Sequence, residues 1–102
     1  MRQIEKAMCA AVKARFNWHC SNTEVKVEGN SVKVYLHGNL IYKENIAGVA
    51  AFTLAGWNSN TTRSRLKALG VHVRSKNFAP QVYKNGEWID IRSNDSNEWY
   101  MV

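Results

Sequence analysis

The chain has 102 residues, 45% of them hydrophobic, which suits one compact domain over residues 1–102 with a small core and leaves too little for two. Lys and Arg number 14 against 8 Asp and Glu, and the resulting formal charge of +6 disfavours a neutral, inert scaffold and favours acidic partners such as nucleic acid. No apolar run approaches the roughly 20 residues of a membrane span, and Arg2, Glu5, Lys6 and Lys13 interrupt any signal-like stretch, so a soluble cytoplasmic protein with no membrane partner is expected.

Ile4, Met8, Ala11, Val12 and Phe16 recur at helical spacing while Arg2, Lys6 and Lys13 lie off that stripe, which predicts an amphipathic helix over about residues 2–17, packed on a sheet. Val25 and Val27 then alternate with Lys26 and Glu28, Gly29-Asn30 supplies a two-residue turn, and Val32, Val34 and Leu36 alternate with Lys33, Tyr35 and His37. This turn puts Val27 opposite Val32 and Val25 opposite Val34 on one face, and Lys26 opposite Lys33 and Glu24 opposite Tyr35 on the other. A second turn at Gly38-Asn39 leads into Leu40–Lys43 and would place Tyr35 opposite Tyr42 and His37 opposite Leu40. A turn at Glu44-Asn45 leads on to Ala47–Leu54, completing a three- or four-stranded meander. Its basic, aromatic face has two readings. Tyrosines and lysines on an open sheet can hold bases and backbone, and the same cross-strand pairs also stabilise ordinary sheets.

Residues 60–70 start and stop like a short helix. Asn60 or Thr61 can accept hydrogen bonds from the first free N–H groups, and Gly70 can take the left-handed closing position, with Val71 and Leu66 in the apolar contact of a Schellman ending. Thr62, Leu66 and Leu69 form the core-facing stripe, with Arg63 and Lys67 on one flank and Arg65 on the other. Cations in or near the first turn oppose the helix dipole. An anion held by free N–H groups, by Thr61 and Thr62, and by the two guanidinium forks would reverse that sign. Alternatively Arg63 or Arg65 stacks on Trp57 and contacts an acidic residue elsewhere. On the first reading, alanine at both arginines removes partner binding with little loss of stability.

Beyond this helix, Val71 and Val73 alternate with His72 and Arg74. Asn85-Gly86 predicts a type I′ hairpin in which Tyr83 faces Trp88 and Val82 faces Ile89. Residues 93–98 read as a polar loop or loosened tail, and Trp99–Val102 is apolar enough to dock back. The order is α-β-β-β-β-α-β-β-β, an α+β fold with an N-terminal helix, an antiparallel meander, a short central helix and a C-terminal β-hairpin.

No catalytic constellation emerges, and no enzyme activity, cofactor or metal is expected. Cys9, His19 and Cys20 match no zinc spacing, two cysteines make no disulfide framework, and reduced thiols are the default. His37 and His72 could serve as acid and base in RNA cleavage beside Lys33 or Arg74, but nothing in the sequence brings them together. Asp90, Asp95 and Glu98 lack the spacing of paired metal-binding carboxylates, and no GxxxxGK phosphate loop occurs.

The segment Tyr35-Leu36-His37-Gly38-Asn39-Leu40-Ile41, followed by Ala55-Gly56-Trp57 and Thr61-Thr62-Arg63-Ser64-Arg65-Leu66, resembles a group of small tailed-bacteriophage proteins with no settled activity. The resemblance covers about residues 34–71, and Lys67 departs from it where Asn is common. It implies a phage product acting in the bacterial host and transfers no catalytic residue. Two functions then compete. A nucleic-acid-binding protein would use Thr61, Thr62, Arg63, Arg65 and Lys67 on phosphates and Lys26, Lys33, Tyr35 and Tyr42 on the backbone or bases of DNA or RNA. An inhibitor or adaptor would dock on an acidic host protein through Trp57 and the arginines. Leu40, Val49 and Ala51, if aligned on the outer sheet face, would add a patch favouring a homodimer.

Overall fold

The computed structural model describes residues 1–92 and 98–102. The polar loop expected at 93–98 therefore falls, apart from Glu98, outside the described residues. The first helix, α1 (Gln3–Ala14), is shorter than its apolar periodicity. Arg15 takes a left-handed φ of 56° at its end, so Phe16 leaves the stripe and stands about half exposed, while Met8, Ala11 and Val12 are buried. Five strands follow: β1 (Trp18–Cys20), β2 (Thr23–Glu28), β3 (Ser31–Leu36), β4 (Asn39–Asn45) and β5 (Ala50–Phe52). Then come α2 (Asn60–Ala68), β6 (Val73–Lys76), β7 (Ala79–Lys84), β8 (Glu87–Asp90) and β9 (Tyr100–Met101).

Among the described residues all pairings are antiparallel, in a six-stranded sheet of order β1-β2-β3-β4-β5-β9 and a three-stranded sheet of order β6-β7-β8. The fold is thus α+β, with two strands, β1 and β9, beyond the expected order. β1 carries no alternation and turns through Ser21 at a φ of 53°, so neither pattern nor turn chemistry announces it. β9 is the apolar terminus docking back against β5.

The β2–β3 register agrees with the pattern: Val25 pairs with Val34, Lys26 with Lys33, and Val27 with Val32. The β3–β4 register does not. The turn is His37-Gly38, both at positive φ, rather than Gly38-Asn39, so Tyr35 pairs with Leu40. A bulge then shifts the ladder between Val34 and Tyr35, and Tyr42 pairs with Val34. With one extra residue in β4, Ile41 and Tyr42 both enter the core, the latter 4% exposed. Tyr42 donates to Glu44 Oε1 at 2.7 Å, and burial followed by the Glu44 carboxylate pushes its phenol well above the ordinary range.

The core joins Met8, Ala11 and Val12 of α1 to Val25, Val32, Val34, Ile41 and Phe52 of the large sheet, Leu66 of α2, and Val73 and Val82 of the small one. α2 starts at Ser59, whose Oγ accepts from the Thr62 N–H at 3.1 Å. It ends with the expected Schellman pair: Val71 N–H donates to Leu66 O at 2.9 Å and Gly70 N–H to Lys67 O at 3.0 Å, with Gly70 at a φ of 96°. The Asn85-Gly86 hairpin keeps its predicted register, with Val82 supplying the buried side and Tyr83 and Trp88 meeting edge to face at 5.2 Å.

Between α1, α2 and β2 lies a buried polar knot. Arg65, 3% exposed, donates from Nη1 to Glu5 Oε2 at 2.8 Å and from Nε to Thr23 Oγ1 at 3.1 Å. The Ser64 hydroxyl donates to the same Glu5 oxygen at 2.5 Å, and the Arg2 N–H donates to Oε1 at 3.3 Å. Burial alone would raise the Glu5 carboxyl, but the donors from Ser64, Arg65 and Arg2 outweigh it and hold the pKa below its usual value.

Removing one partner of a buried pair leaves an uncompensated charge, so Arg65→Ala should cost about 3–5 kcal/mol in urea unfolding. Because the folded Glu5 pKa is depressed, its contribution is complete above the unfolded value of about 4.3 and is lost as pH falls through the folded value. The urea midpoint should therefore drop on acidification below about pH 4 in the wild type, and drop less in Glu5→Gln.

Candidate nucleic-acid interface

Alternation along β2, β3 and β4 sends the valines into the core and the intervening residues to the opposite face. On that face Lys26 pairs with Lys33, and Lys33 with Lys43, so three ammonium side chains stand abreast across three neighbouring strands. At a strand spacing of about 4.8 Å their stems span roughly 10 Å. The next row along the same face is Glu24, Tyr35 and Leu40. Lys26 and Lys43 are exposed, and Lys33 and Tyr35 are partly so.

Directly opposed like charges destabilise a sheet. Two of the three lysines rest on aromatic rings: Lys26 Nζ lies 5.3 Å from the Tyr35 centroid and Lys43 Nζ lies 4.2 Å from that of Trp99. Lys33 pairs with Glu28 at 3.2 Å, an exposed contact worth little and easily exchanged for another anion. The outcome is a cationic strip edged by two π faces, the residue types that hold a polyanion with unstacked bases.

Lys26, Lys33 and Tyr35 thus come together as the sequence suggests, and Tyr42 does not join them because the bulge turns it inward. Lys43 and Trp99 take its place. Lys43 was legible in principle, since a lysine in that strand demands the solvent face and so forces Tyr42 in. Trp99 carried no such signal, because the β5–β9 pairing brings it in from the far end of the chain.

The α2 cluster is dispersed. Arg65 faces inward onto Glu5 and cannot hold an external anion, which corrects the expectation that alanine there spares stability. Its acidic contact is the alternative reading, realised with Glu5. Arg63 binds the side-chain oxygens of Asn58 and Asn60, and among the described residues no cation–π contact reaches Trp57. Thr62 is buried and shares a hydrogen bond with Ser59 at 2.9 Å. Lys67 is exposed on α2, whereas Trp57, 65% exposed, and Thr61 border a cavity at the start of that helix. Of the proposed dimer patch, Ala51 is buried, Val49 is exposed in the β4–β5 loop, and Leu40 is partly exposed on the sheet.

His37 lies in the β3–β4 turn and His72 precedes β6 of the other sheet. Among the described residues no group of three or more His, Cys, Asp and Glu side chains could hold a metal ion, and no helix is long and apolar enough to cross a membrane. Cys9 donates to Ala68 O at 3.2 Å, and burial, then the Glu5 charge, raises its thiol pKa.

A family model described as Kyanoviridae Gp96 protein matches residues 1–101. No curated protein and no solved structure matches this chain.

Because the lysines repel across the ladder, removing the central one should help the fold. Lys33→Thr is expected to raise urea stability by up to about 1 kcal/mol, since it relieves repulsion with both Lys26 and Lys43, gives up only the exposed Glu28 contact and improves strand propensity.

Proposed function

The chain belongs to the Kyanoviridae Gp96 protein family, and from that premise we propose that it is a small nucleic-acid-binding protein without catalytic activity, working in the cytoplasm of the infected bacterium. The observation that carries the reading is the row Lys26, Lys33 and Lys43, set across three strands with Tyr35 and Trp99 beside it. Such a row costs stability in the free protein, and a run of phosphates neutralises it. The flat spacing and the π faces suit single strands better than duplex, because unstacked bases can lie on tyrosine and tryptophan while the phosphates meet ammonium groups. Net charge adds long-range attraction but no sequence preference.

A second reading, an inhibitor or adaptor docking on an acidic host protein, draws on one corner of the surface. Phe78 is 98% exposed at the tip of the β6–β7 hairpin, with a φ of 65° that a bulky residue rarely adopts. The Asn58 amide donates to Ser75 Oγ at 3.2 Å and to Phe78 O at 3.4 Å, holding this tip beside the Trp57 loop. Aromatic side chains of this kind anchor protein interfaces.

Fluorescence anisotropy with labelled single-stranded and duplex DNA and RNA, across several salt concentrations on nuclease-treated protein, separates the two. Micromolar or tighter binding to single strands is expected. The salt slope should fall by about 2 in the triple variant K26Q/K33Q/K43Q, since each phosphate neutralised by a lysine contributes about 0.7 to it. Absence of binding at low salt would turn the assignment to the host protein, and Phe78→Ser would then be the variant that loses capture of an acidic partner.

A further inference from the structure

A cavity of about 560 Å³ opens beside the start of α2 and falls within the range usual for small-ligand sites. Its floor is apolar, made by Leu36 of β3, Ile41 of β4, and Leu54 and Ala55 after β5. Its lining also includes His37 and Asn39 of the β3–β4 hairpin, Trp57 of the following loop and Thr61 of the first turn of α2. Segments far apart in the chain, His37-Gly38-Asn39, Ala55-Gly56-Trp57 and Thr61-Thr62, therefore meet around one hollow. The polar core knot does not use them.

The chemistry of this lining is selective. An apolar floor favours a flat ring, and the indole of Trp57, left 65% exposed with no ring stacked on it among the described residues, offers a π face. The Asn39 amide and the Thr61 hydroxyl each supply both donor and acceptor, and the His37 imidazole adds a further nitrogen, the complement needed by the edge of a heterocyclic base. The hollow lies on the helix side of the large sheet, and His37 in the β3–β4 turn stands at the edge between that side and the lysine face. His37 borders, together with His19 and Glu24, a shallow depression on the other side of the β3–β4 turn, and Glu24 pairs directly with Tyr35 in the row next to the lysines. A strand bound on the lysine face must round the β3–β4 turn at His37 to reach the hollow.

We infer that this cavity is a base-binding pocket, in which one unstacked nucleobase of the bound strand inserts against Trp57 and is read at its edge by His37, Asn39 and Thr61. The inference rests on the nucleic-acid reading above and adds to it a site of base selectivity that the lysine row lacks.

The test uses the full chain and single-stranded oligothymidylate carrying one 2-aminopurine, a fluorescent base quenched by stacking. Wild-type protein is expected to quench it on saturation. Trp57→Ala should restore fluorescence and weaken binding about five-fold or more, as removal of a base-stacking ring does. Thr61→Leu, which crowds the mouth without adding a ring, should weaken binding comparably. Neither variant should alter the salt slope, because the lysines neutralise the same phosphates in both. The Trp57 backbone keeps its hydrogen bond to Leu54 O at 2.9 Å whatever its side chain, and unchanged melting temperatures will verify that both variants are folded. Binding with a lysine-dependent salt slope, but with quenching and affinity the same in wild type and both variants, overturns the pocket and leaves the lysine face standing. No oligonucleotide binding at all overturns both.

Discussion

The contact between Glu5 and Arg65 organises this molecule. It ties the first turn of α1 to the body of α2, and through Thr23 it ties both to the start of β2. A buried ion pair survives only when its remaining hydrogen-bonding capacity is met, and here Ser64, the Arg2 N–H, Thr23 and Asn22 meet it. Among the described residues no buried side-chain polar atom lacks a partner. An apolar contact between two helices tolerates sliding, whereas a guanidinium threaded among these acceptors is satisfied in one arrangement. The two helices are thereby held on the same side of the large sheet, and its opposite face is left to the lysines.

That division sorts the charges into two populations. Arg65, which looks in the sequence like one more cation for a partner, is consumed inside. Lys26, Lys33 and Lys43 are held outside by strand alternation, with aromatic rings beneath two of them and a single exchangeable carboxylate on the third. The second population forms the candidate binding face, which net charge alone does not create, since a chain of the same composition could scatter its cations. The bulge in β4 serves the same division, letting Ile41 and Tyr42 both fill the core so that Lys43 comes back into phase with Lys33.

Legibility varied with the range of the interaction that sets each feature. The β2–β3 ladder, the Asn85-Gly86 hairpin and the closing turn at Gly70 were readable because a few adjacent residues dictate each of them. The β3–β4 hairpin departs from its pattern by one residue. Asn and Gly both tolerate positive φ, so His37-Gly38 and Gly38-Asn39 compete as turns. Moving the turn by one residue shifts the partners by two and keeps the faces, and it is the bulge between Val34 and Tyr35 that turns Tyr42 inward. β1 escaped notice because three residues are too few to show a period.

Of the candidate site, Lys26, Lys33 and Tyr35 were placed correctly from the sequence, since they sit on the one ladder whose register a local turn determines. The sequence by itself also determined the α+β class, the position of α2 and its closing turn at Gly70, and the membership of most of the core, because periodicity and capping act within about a dozen residues; the N-cap is Ser59 rather than the expected Asn60 or Thr61. Only the tertiary structure decided that Arg65 turns inward, that Trp99 reaches Lys43 and that the His37, Trp57 and Thr61 segments enclose a common hollow. Each of these depends on a partner distant along the chain, Glu5 for Arg65 and β5 for the strand beside Trp99, and local pattern carries no information about which distant residue will be met.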